Sequence, residues 1–78
     1  MSMHAFLCEV IAEGYDIHFD HDSNSTSVSC IIRRGHWSAS PTHIDDRVFT
    51  DEDLLVHELR NIFLHVRFDY DRSHPIAV

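Results

Sequence analysis

Residues 15–34 read Y-D-I-H-F-D-H-D-S-N-S-T-S-V-S-C-I-I-R-R, and this stretch decides the fold. Tyr15, Ile17, Phe19 and His21 alternate with Asp16, His18, Asp20 and Asp22, the period-2 pattern of a strand with one face buried. Ser23-Asn24-Ser25-Thr26 is turn chemistry. Beyond it Val28, Cys30 and Ile32 alternate with Ser29, Ile31 and Arg33, and the β-branched residues suit a second strand. A turn centred on Asn24-Ser25 pairs Phe19 with Cys30, Ile17 with Ile32 and Asp16 with Arg33. A one-residue slip would drive Asp16, His18 and Asp20 into the core, so the pattern resists it.

The flanking segments change period. Met3, Phe6, Leu7, Val10 and Ile11 recur at i, i+3, i+4, i+7 and i+8, one apolar face of a helix capped by Ser2 and closed at Gly14. After the hairpin, a turn with Arg34-Gly35 at its centre predicts a short third strand over residues 36–40, with Trp37 and Ala39 on the face of Ile32. Pro41 is expected to end it. Residues 41–49 read as a loop anchored by Val48 and Phe49. Thr50 is the expected cap of the last helix, with Asp53 completing a capping box and Phe49 set against Leu54 as a hydrophobic staple. That helix, with Leu55, Leu59, Ile62, Phe63 and Val66 on its apolar face, is expected to reach about Tyr70. The expected architecture is a two-layer α+β sandwich, helix, three-stranded antiparallel meander, helix, over residues 1–72, with a loose tail over 73–78.

Seventy-eight residues suffice for one domain, which buries roughly 60% of the surface its unfolded chain exposes. A domain this small gains from a partner or a second copy. Its charge is lopsided: thirteen acids, six arginines, no lysine and a net charge of −7 with histidine neutral. Nucleic-acid binders need a basic stripe, and none is present, so direct nucleic-acid binding is not expected. Anionic membranes are disfavoured for the same reason, and no apolar run reaches the roughly 18 residues of a membrane span. No signal peptide is recognisable, and Cys8 and Cys30, both in apolar runs, read as buried free thiols of a reducing cytoplasm.

The αβββα order resembles that of double-stranded-RNA-binding domains, and the resemblance stops there. That family carries basic residues at the start of its last helix, whereas this chain reads Thr50-Asp51-Glu52-Asp53. Three carboxylates at that point would repel a duplex.

Catalysis finds little support. There is no G-x-S-x-G elbow, no phosphate-cradling glycine loop and too few cysteines for a zinc ribbon. His57-Glu58 begins like H-E-x-x-H, but position 61 is asparagine. His18, His57 and His65 are the candidate metal ligands, and no cofactor is expected. The acids point instead to a protein-binding domain that occupies a cationic site on a partner, such as the nucleic-acid-binding groove of another protein. The candidate contacts are Asp16, Asp20, Asp22, Asp45, Asp46, Asp51, Glu52 and Asp53. Phage-encoded inhibitors of host nucleic-acid machinery, anti-CRISPR proteins among them, share this small acidic form, an analogy of class alone. The alternatives are a histidine-rich metal- or pH-responsive domain, or a structural homodimer joined through Ile31 and the third-strand edge. Acidity also serves solubility.

Overall fold

The computed structural model describes residues 2–21 and 23–74. Asp22 and the last four residues of the expected tail lie outside them. The elements are α1 (Met3–Ala12), β1 (Asp16–His21), β2 (Ser27–Arg34), β3 (Trp37–Ser38), β4 (Thr42–Asp45), a 3-10 helix (Asp46–Thr50) and α2 (Glu52–Ser73). This is the expected α+β sandwich with one strand more.

The hairpin takes the register its pattern demands. Ile17 faces Ile32, Phe19 faces Cys30 and Asp16 faces Arg33. The Arg33 guanidinium donates from Nε to Asp16 Oδ1 at 3.3 Å. Ser2 caps α1 by accepting the Ala5 amide, and Gly14 closes it with φ of +87°, a conformation that a side chain would strain.

The second turn differs from expectation. Arg34 pairs with Trp37, so its central residues are Gly35 and His36. Gly35 has φ of +60° and His36 does not enter the positive region, the arrangement of a type II′ hairpin turn with glycine first. The shift relative to the expected pairing is two residues, so Trp37 and Ala39 keep their inward face.

Pro41 does not end the sheet. The Ala39 amide donates to Ile32 O at 3.0 Å, and Thr42 then pairs with Cys30. Two residues, Ser40 and Pro41, therefore stand opposite Ile31 alone, which makes a β-bulge. The proline, lacking an N–H, sits where the ladder is interrupted. Beyond it the expected loop is the strand β4, with Ile44 inward against Val28. β3 and β4 thus lie end to end along one side of β2, with β1 on the other.

Both helices cover the face bearing Cys30, Ile32 and Ile44. Phe6, Val10, Tyr15, Leu55, Val56, Leu59, Phe63 and Val66 complete this core, and Trp37, Ile62 and Tyr70 pack at its margin. Phe6 and Tyr15 each meet Phe63 edge to face. Ile11, expected on the buried face of α1, is 68% exposed, because the contact centres on Phe6 and Val10 and Ile11 lies a quarter-turn past Val10. Cys8 is likewise exposed, its Sγ 3.7 Å from His4 Nε2 one turn earlier. Cys30 is buried, and burial pushes its thiol up to about 11.

The start of α2 is also corrected. Asp51, not Thr50, is the N-cap, accepting the Leu54 amide at Oδ1 over 3.2 Å. Thr50 instead donates its hydroxyl to Arg47 O at 2.7 Å within the 3-10 helix. Asp53 therefore falls at the second helical position and makes no capping box. Phe49 packs on Phe19, ring centroids 5.6 Å apart, while Leu54 is exposed, so the expected staple is absent. At its other end α2 runs past Tyr70 to Ser73, and His74 caps it with its ring stacked on Tyr70 at 4.2 Å.

Candidate docking pole

The topology gathers acids that are scattered in sequence. Asp20, one residue before the end of β1, faces Ser29, which in turn faces His43 on β4. One step further along β2, Ser27 faces Asp45. The Asp46 amide donates to Thr26 O at 2.8 Å, and its carboxylate stands 3.9 Å from His21 Nε2. The 3-10 helix then delivers Asp51, Glu52 and Asp53 to the same end. There Glu52 Oε1 accepts the Met3 amide at 3.3 Å. Asp20, Asp45, Asp46, Asp51, Glu52 and Asp53 thus lie toward one pole, with Arg47 paired to Asp45 and Arg60 lining a shallow concavity with Asp53.

The opposite pole is balanced. Asp16 pairs with Arg33, and Glu13 holds Arg67 with both carboxylate oxygens, at 3.0 and 3.2 Å. Arg34 lies between the rings of Tyr15 and Tyr70, its guanidinium carbon 5.2 and 4.6 Å from their centroids. The Tyr15 hydroxyl is buried with no well-aligned hydrogen-bond partner among the described residues. Its nearness holds the Arg34 guanidinium more firmly charged. Of the eight expected contacts, Asp16 therefore belongs to the other end of the molecule, and Asp22 lies outside the described residues.

The acids of the pole are not equivalent. Asp45 accepts from the Arg47 amide at 2.9 Å, from its Nε at 3.1 Å and from its Nη2 at 3.0 Å. These bonds lower its pKa to about 2. Asp51 is committed to its cap and Glu52 to Met3. Asp20 and Asp53 make no hydrogen bond or ion pair among the described residues, and Asp46 has only the 3.9 Å contact with His21 and its neighbour Asp45. These three present the most available negative charge.

The histidines do not converge. His18 lies on the open face of the sheet opposite Ile31. His57 stands near Asn61, its Nε2 3.5 Å from the amide nitrogen, two turns from His65 on α2. Among the described residues no three histidine, cysteine or carboxylate side chains come together in a way that could hold a metal ion.

Sequence reasoning missed a concavity of about 510 Å³ between the β3–β4 edge and α2, where Ser38, Ser40, Thr42, His65 and Asp69 rim an apolar floor. The bulge that shapes it is signalled by Pro41, which the sequence reading took as a strand end. Comparison of the chain with protein-family models, with curated proteins and with solved structures finds no match. No helix among the described residues is long and apolar enough to cross a membrane.

Proposed function

We propose that this domain works by docking its acidic pole into a cationic site of a partner protein, competing there with a nucleic acid or another polyanion. The observation that carries this reading is the segregation of charge. Four separate elements deliver Asp20, Asp45, Asp46, Asp51, Glu52 and Asp53 to one end, while of the other arginines Arg60 borders Asp53 but is paired with Glu9, and Arg33 and Arg67 are paired at the far end. Solubility asks for dispersed charge, whereas a one-ended field orients an approaching basic partner and speeds encounter. An inhibitor of nucleic-acid-handling machinery, held in the same compartment as its target, is the form such a protein takes. The domain then needs neither catalytic residues nor a cofactor.

The test compares charge at equal net change. The partner is captured from lysate at low salt, and its affinity is measured calorimetrically against two triple variants. Asp20→Lys with Asp46→Lys and Asp53→Lys reverses the available acids of the pole. Asp16→Lys with Asp69→Lys and Asp71→Lys reverses three acids at the other end. The first is expected to weaken binding at least ~100-fold, a loss of about 2.7 kcal/mol, and the second by less than ~5-fold. Equal losses from both would sink the docking pole and leave a bulk charge effect.

A further inference from the structure

The outer face of α2 carries a seam that the core does not use. Leu55, Val56, Leu59, Phe63 and Val66 point into the sandwich. On the opposite side, Leu54, His57, Asn61, Leu64 and Phe68 follow one another at spacings of 3, 4, 3 and 4. Leu54 is 44%, Leu64 47% and Phe68 64% exposed. A 3-4 repeat is the spacing at which a helix keeps one stripe facing a second helix, with a polar residue such as asparagine tolerated inside it. The stripe spans about 21 Å.

The flanks of the seam identify the occupant. One flank presents Asp53, Arg60 and Arg67, and the other Glu58, His65 and Arg72. Were two copies of α2 to pack in parallel, Asp53 would face Glu58 and Arg67 would face Arg72, like against like on both sides. In antiparallel packing Glu58 of one copy faces Arg72 of the other, and Asp53 faces Arg67. Residues beside the seam set orientation in this way, and the helix dipoles also favour the antiparallel arrangement. Two self-pairs remain near the twofold axis, His65 against His65 and Arg60 against Arg60, and each Arg60 already has Glu9 of its own α1 at 3.8 Å. Arg67 also serves Glu13, so Glu58–Arg72 is the pair free to form across the interface.

We infer that α2 docks against α2 of a second copy of this chain in an antiparallel, twofold-symmetric dimer through Leu54, His57, Asn61, Leu64 and Phe68. The contact differs from one through Ile31 or the third-strand edge, which lie on the sheet. Of the acids of the docking pole it involves Asp53 alone, and it sets the two acidic poles of the dimer at opposite ends. A seam with three apolar residues makes a small interface, so the dimer is weak and exchanges with monomer.

Sedimentation velocity of the whole chain from about 10 μM to about 1 mM is expected to follow a monomer–dimer equilibrium with a dissociation constant in the range of about 10–300 μM. Leu64→Glu with Phe68→Glu is expected to leave monomer alone throughout. Both residues are exposed, and circular dichroism reports whether the fold persists. Glu58→Arg and Arg72→Glu are each expected to weaken the dimer ~5-fold or more, and the two together to restore it within ~2-fold. Monomer alone at about 1 mM, a larger assembly, or a dimer indifferent to the Leu64/Phe68 change overturns the seam. A double charge swap that stays weak overturns the antiparallel orientation.

Discussion

Replacing Asp51 by alanine isolates the start of α2. The carboxylate accepts the Leu54 amide at 3.2 Å from a residue whose backbone is extended, with φ of −126° and ψ of 105°. Loss of such a cap costs about 0.5–2 kcal/mol. The charge near the positive end of the helix contributes part of this, about 0.3–1 kcal/mol. Leu54 is exposed, so water replaces the lost acceptor and holds the total near 1 kcal/mol. In a domain of this size, whose whole stability is about 4–12 kcal/mol, each kcal/mol moves Tm by about 4–8 °C. The expected drop for Asp51→Ala is therefore about 4–8 °C, read by circular dichroism melting and checked by urea titration. Asp51→Asn keeps the acceptor and loses the charge, and it should recover more than half of the drop. Thr50→Ala removes a hydroxyl that serves an exposed carbonyl and should stay within about 0.5 kcal/mol of the parent. If Thr50→Ala melts lower than Asp51→Ala, the helix begins one residue earlier and the reasoning fails.

Three further outcomes follow from single contacts. Asp45 is held down to about 2 by Arg47. Its ionised form therefore favours the fold above the ordinary carboxylate range, and this contribution is lost as pH falls from about 4 toward 2. A carboxyl-detected NMR titration should show the Asp45 midpoint climbing toward about 4 in Arg47→Ala, and an unmoved midpoint refutes the pairing. Cys8 is exposed and Cys30 buried with its thiol pushed up to about 11, so a thiol reagent should label Cys8 alone in the native protein and both cysteines in denaturant. Rapid native labelling of Cys30 would contradict its place in the core. Tyr15→Phe removes a buried hydroxyl with no well-aligned partner and should leave stability unchanged or raise it by up to about 1 kcal/mol. A loss above about 1 kcal/mol would mean that Arg34 bonds the hydroxyl in solution.

The hairpin was legible because two-faced alternation admits one register, and Asp16 against Arg33 agrees with it. The second turn was misplaced by two residues for a related reason. A two-residue shift leaves every side chain on its own face, so hydrophobic pattern cannot detect it, and the preference of Gly35 for the first central position of a type II′ turn decides instead. The fourth strand escaped notice because Thr42-His43-Ile44-Asp45 offers one inward apolar residue. Its pairing is supplied by β2, whose eight residues are longer than Trp37–Ser38 can cover. Pro41 signals a boundary in sequence, but a missing amide is as compatible with a bulge as with a strand end.

The charge pole was half legible. Asp20, Asp45, Asp46, Asp51, Glu52 and Asp53 can be named from the chain, yet nothing in their numbering says that His21, next to Asp20, meets Asp46 or that Asp16, four positions earlier, lies at the far end. That distinction comes from strand direction. β1 runs Asp16 away from the pole and Asp20 toward it, β4 runs antiparallel to β2 and ends beside the start of β2, and the 3-10 helix carries the chain from there to α2. The same geometry separates the two roles an acid can take. Asp51 and Glu52 are held by backbone amides and Asp45 by Arg47, so their charges are partly used within the fold. Asp20, Asp46 and Asp53 are not held in this way; Asp53 suits the positive end of α2 as an acid in its first turn, whereas local structure does not account for Asp20. A partner recognised by this pole should therefore be most sensitive to those three and least sensitive to Asp45, although all four lie together. A binding series in which Asp45→Asn weakens the complex more than Asp20→Asn would place the contact on the Asp45–Arg47 pair and displace the docking surface from the pole's open acids.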